Sequence, residues 1–169
     1  EGGAGTSNLL QFGVDLGELL DAAGVRKDIF DDRENRIPYP AFARLLSECE
    51  KRSNCEHIVL LISQHTRLAD FGLAGQIALC AENAGDGLQR LVDHFNLHSS
   101  AATVSLITSG TFTRFVYAIT EQGMTDTRQL QLGAMVVAYN LLQDLFGSAW
   151  QPTVITVASR PPANLRPAQ

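Results

Sequence analysis

No apolar run in the 169 residues approaches the length that crosses a bilayer, and the N-terminus carries no signal-peptide pattern. Basic residues are the minority: 13 Lys and Arg against 18 Asp and Glu give a formal net charge of -5 and a pI near 5.3. Such a balance lacks the basic face with which proteins grip nucleic acid. Cysteine is scarce. Cys49, Cys55 and Cys80 are odd in number and unpaired in spacing, which reads as buried thiols of a reducing cytoplasm and not as a disulfide framework. The chain also lacks a GxSxG elbow, a GxxxxGK phosphate loop and a GxGxxG fingerprint, so neither an enzyme nor a bound cofactor is expected. No repeat or low-complexity block is present.

With 45% hydrophobic residues, the chain can bury one sizeable core. Thr125 to Ala158 organises it. Thr125 or Asp126 can cap a helix start, and no proline interrupts the run before Pro152. At 3.6 residues per turn, Leu130, Ala134, Val137, Leu141 and Leu145 share one face. Leu132, Met135, Tyr139 and Phe146 share the opposite face, so the helix is expected to be buried on both sides. Gly147 suits its end, and the β-branched run Thr153 to Val157 then reads as a strand.

Upstream, Asp15 and Glu18 have capping-box spacing for a short helix with Leu16, Leu19, Leu20 and Ala23 inside, ended by Gly24. Asp28 to Phe30 reads as one turn, and Asp31 to Arg36 as a charged, solvated loop. After Pro38 and Pro40 the spacing of Phe42, Leu45, Leu46 and Cys49 predicts an amphipathic helix. Asn54 is positioned to cap the next one, with Ile58, Leu61 and Ile62 on one face. Arg67 to Gly72 is a break. Leu73, Ile77, Cys80 and Ala81 then predict a helix rich in small residues, which admit a close neighbour. Asn83, Gly85 and Gly87 interrupt, and Leu88 to Phe95 forms a further helix carrying His94 and His98. Thr103–Thr108 and Phe112–Thr120, joined by Ser109-Gly110-Thr111, predict a hairpin with one face under the long helix and the other largely dry.

Metal binding is not expected. His94 and His98 sit four apart, but no third ligand follows at a suitable spacing, and Cys55-Glu56-His57 is too compact to converge on a helix. Arg114 and Arg128 are the candidate anchors, because each lies among apolar positions where a guanidinium can hold a carboxylate or phosphate. Phe95, Tyr117, Met135 and Tyr139 are the candidate walls of such a ligand-binding pocket.

Four stretches then line up in order: LGELLDAAGV, RIPYPAFARLLSECEK, ADFGLAGQIALCAENAGDGLQRLVDHFNL and LQLGAMVVAYNLLQDLFGSAWQPTVITVASRPP. Together they resemble the N-terminal regulatory, arabinose-binding-like domain of one branch of AraC-type transcription regulators. Asp70 to Gly75 and Gly147 to Pro152 are the most specific pieces. The resemblance implies a cytoplasmic bacterial domain that senses a small effector, forms a homodimer, and controls a helix-turn-helix domain lying outside this chain. It implies DNA contact only through that other domain, and no membrane. Sugar-sensing relatives in the wider family use a β-barrel, for which this mostly helical chain has too few strands, so sugar carries little weight as the ligand. The expectation is an α+β fold of about six helices around an antiparallel sheet of about three strands. Residues 1–7 would be a flexible segment, 8–160 the sensing and dimerising domain, and 161–169 a linker. A domain serving only interaction or dimerisation, without ligand, is the alternative.

Overall fold

A computed structural model describes residues 14–32, 35–124 and 126–158. Its order is α1 (Leu16–Ala23), a 3₁₀ turn (Lys27–Phe30), α2 (Tyr39–Ser53), α3 (Ile58–Ser63), a 3₁₀ turn (Leu68–Phe71), α4 (Gly72–Leu79), α5 (Ala84–Asp93), a 3₁₀ turn (Phe95–Leu97), β1 (Ala102–Ser109), β2 (Phe112–Ile119) and α6 (Arg128–Phe146). The fold is α+β and mostly helical, as expected. The sheet differs, having two antiparallel strands among the described residues. Thr153 to Val157 has strand-forming side chains but pairs with nothing there, and Val154 is 77% exposed. β-branched residues favour an extended backbone, but a strand exists only where a sheet edge takes up its N–H and C=O groups.

The chain divides into two compact units. One contains the segment through His65, Met124–Val136 and the chain from Ile155; the other contains Thr66–Gly123 and Val137–Val154. Helix α6 contributes to both.

In the first unit α1 begins where Asp15 accepts the Glu18 amide at 2.8 Å, and it ends at Gly24. Pro40 near the start of α2 costs nothing, since the first helical amides have no intrahelical partner. Leu19, Leu20, Leu45, Cys49 and Ile58 fill the interior, with Phe42, Leu61 and Ile62 packed against it. Asn54 does not cap α3. It ends α2 instead, in the left-handed region at φ 50, which Asn tolerates better than most residues. Gly133 faces α3, where an added Cβ would lie 2.9 Å from Val59 Cγ2.

In the second unit Leu68, Phe71, Ala78, Leu91, Phe95, Ala102 and Leu141 form the core, with Val104, Tyr117, Val137 and Leu145 against it. The expected break at Arg67 to Gly72 is thus an ordered, partly buried turn. Asp144 Oδ2 accepts the Leu68 amide at 2.8 Å, and Asn140 Nδ2 donates to the Thr66 carbonyl at 3.1 Å. Helix α4 buries Ala74, Gly75 and Ala78 and exposes Leu73, and Cys80 just past its end is exposed as well. Cys80 is therefore no buried thiol. Gly85 and Gly87 do not interrupt: Asn83 caps α5 by accepting the Asp86 amide at 3.0 Å, and both glycines lie inside the helix.

The hairpin turns at Gly110-Thr111, with Gly110 at φ 59 where a side chain would be strained. Its register pairs Val104 with Tyr117 and Ser109 with Phe112. Val104, Leu106, Phe115 and Tyr117 share the partly buried face. Thr103, Ser105, Ile107, Arg114 and Phe112 share a face open to solvent, so the second side is not dry.

Candidate functional site

The six residues singled out in the sequence fall into several environments. Phe95 and Tyr117 meet edge to face, ring centres 6.4 Å apart, and Phe95 also touches Phe71. His98 stacks on Phe71 at 3.9 Å. It does not share a helix with His94, because α5 ends at Asp93. Tyr139 turns toward Trp150, centroid to centroid 6.3 Å, and its hydroxyl accepts from Gln143 Nε2 at 2.7 Å. Arg114 lies on the open face of the hairpin, opposite Ile107 and away from the Tyr117 face. All four of these candidates belong to the second unit; Arg128 and Met135 belong to the first. Met135 is half-buried on α6.

Arg128 has the most developed surroundings. It is the first residue of α6, and its amide donates to Asp126 Oδ1 at 3.2 Å; Thr125, the other cap candidate, lies outside the described residues. Its Nη2 pairs with Glu50 Oε1. Glu50 comes from the last turn of α2, and its other oxygen accepts Gln129 Nε2 at 2.7 Å. The same amide donates to the Glu56 carbonyl at 3.0 Å. The Arg128 and Glu50 side chains are 27% and 20% exposed, while Gln129 is only 3% exposed. Gln129 Oε1 is buried without a hydrogen-bond partner among the described residues. An acceptor left so costs about 1–3 kcal/mol.

The sequence singles out Arg128 but not its neighbours Glu50 and Gln129. The signals were faint: Glu50 lies four residues after Leu46, at the margin of the apolar stripe, and Gln129 lies four before Gly133, on a face of α6 that carries no bulk there. Helical spacing ranks apolar residues well, but a buried carboxamide looks like any surface glutamine.

Among the described residues no three His, Cys, Asp or Glu side chains gather as a metal site, and no helix is long and apolar enough to cross a membrane. The cluster sets a cation, an anion and an amide oxygen within one patch.

The family described as the arabinose-binding domain of AraC transcription regulators, N-terminal, matches residues 13–169, and the chain belongs to it. It is similar to an ornithine utilization regulator of Pseudomonas aeruginosa, 22% identical over 168 residues, covering 92% of this chain and 46% of the relative. The chain thus spans about half the length of that curated relative.

Proposed function

We propose that this chain is the effector-sensing portion of a cytoplasmic, homodimeric bacterial transcription regulator whose DNA-reading helix-turn-helix domain is a separate part of the protein. Membership of the N-terminal AraC family over residues 13–169 is the observation that carries the reading. The effector is small, with an anionic group at Arg128 and an apolar body. A ligand that binds one conformation more tightly shifts the balance between states and so alters how paired DNA-reading domains are presented. Of the two arginines, Arg128 has the surroundings of an anchor; Arg114 stands on an open surface. Calorimetric screening of small metabolites tests the reading. A saturable ligand that Arg128→Ala weakens supports it, and a ligand of undiminished affinity in both Arg128→Ala and Arg114→Ala removes the anchor.

A second reading, an interaction module without ligand, draws on the open hairpin face, where Phe112 is 68% and Ile107 51% exposed. Loss of self-association in Phe112→Ser, measured by analytical ultracentrifugation, together with a silent ligand screen, would favour it.

A further inference from the structure

We infer that the Glu50–Arg128–Gln129 cluster takes the zwitterionic head of a free α-amino acid. This rests on the effector reading above and names the chemistry of that ligand. Gln129 Nε2 gives its hydrogens to Glu50 Oε2 and the Glu56 carbonyl, at 2.7 and 3.0 Å. That fixes the amide's orientation, because the reversed group would turn its oxygen on a carboxylate and a carbonyl. Gln129 Oε1 therefore stays an acceptor, buried and without a partner among the described residues, and what it calls for is a donor.

Beside it stands a matched pair of charges, Arg128 on Glu50 Oε1. Both side chains reach solvent in part, which gives a ligand its approach. An amino acid entering between them exchanges one internal ion pair for two. Its carboxylate takes the Arg128 guanidinium, and its ammonium is shared by Glu50 Oε1 and Gln129 Oε1. The cluster remains neutral after the exchange. A dicarboxylate would bring surplus negative charge beside Glu50, and a diamine surplus positive charge beside Arg128; either leaves a charge uncompensated in a partly buried place. A ligand carrying one of each satisfies every group, the orphaned oxygen included.

The test is calorimetric titration of the protein with the proteinogenic L-amino acids, L-arabinose and succinate, followed by the N-acetyl and methyl-ester derivatives of any amino acid that binds. The expected result is saturation by an amino acid, with blocking of either end weakening it by about tenfold or more. Gln129→Met, which keeps the length and removes the oxygen, is expected to weaken the free amino acid by about tenfold. Arg128→Lys is expected to weaken the free amino acid while leaving its methyl ester unchanged. Circular dichroism melts establish that each variant folds, and Arg128→Lys with the two derivatives decides the matter if Gln129→Met does not. Saturation by L-arabinose or succinate with none by amino acids overturns the inference and leaves the effector reading standing. Silence from every probe overturns both. Amino-acid binding indifferent to both variants and to both blocking groups also overturns the inference.

Discussion

In the first unit α1 and α2 meet through leucines and are tied by Arg52 to Glu18 at 3.1 Å and Arg44 Nε to the Ala23 carbonyl at 3.3 Å, while Arg128 at the start of α6 pairs with Glu50 of α2. In the second, α4 and α5 meet over small residues. An added Cβ on Gly87 of α5 would lie 3.0 Å from the Ala78 oxygen of α4, and one on Gly75 of α4 would lie 1.9 Å from the Leu68 carbonyl oxygen of the turn before it. The difference predicts opposite weaknesses. A core of long aliphatic chains can adjust to a changed volume but depends on its charges; a contact made backbone to backbone ignores charge and has no room for a methyl group.

Gly75→Ala is the harshest test of this contrast. The clash is with backbone, so the turn at Leu68–Phe71 must move, and a loss of about 4 kcal/mol is expected in urea unfolding. Hydrogen exchange should place the lost protection in the second unit. Leu19→Ala, at a fully buried position of the first unit, is expected to cost about 3 kcal/mol by the same measurement, less than the added methyl because the surroundings partly collapse. Were the two costs reversed, the steric account of α4 against the Leu68–Phe71 turn would be wrong. Glu50→Ala strands Arg128 and the Gln129 amide; its cost, about 2 kcal/mol, should shrink in the double variant Glu50→Ala/Gln129→Leu, which removes a stranded partner too. Asp15→Ala removes one cap bond and is expected to cost about 1 kcal/mol.

A pH dependence also falls on the first unit. Burial, aided by the Glu48 carboxylate, pushes the Cys49 thiol from 9.0 up to about 11. The native state then holds this proton more tightly than the unfolded chain does. Its contribution to stability is complete below pH 9 and is lost as pH rises through 11. Urea midpoints across that window should fall more steeply for wild type than for Cys49→Ala.

Where a local rule decided the structure, the sequence announced it. Asp15, Glu18 and Gly24 bracket α1 because capping is settled within a few residues. Gly110 between two β-branched runs set the hairpin, and the apolar stripes of α6 announced the burial of Leu130, Leu132 and Leu141, although Phe146, on the stripe of Leu132, is exposed. Where tertiary contact decided, the same reading erred. Asn54 suits the start of one helix and the end of another, and only the packing of α2 chooses. Gly85 and Gly87 look like breakers, yet Gly87 is there because Leu145 and the Ala78 carbonyl crowd it. Thr153 to Val157 has the composition of a strand but no neighbour among the described residues to make it one. For the candidate site, Arg128 was visible as a charge on an apolar helix. Its partner Glu50 was not, since nothing in a single sequence links residues that far apart in the chain.

That same TVITV stretch has a practical consequence. Five uncharged, β-prone residues with Val154 and Ile155 facing water have the composition from which cross-β ladders between molecules are built. Concentrated samples should turn cloudy along this route first, and a single lysine at Thr156 is the gatekeeper that would keep them clear.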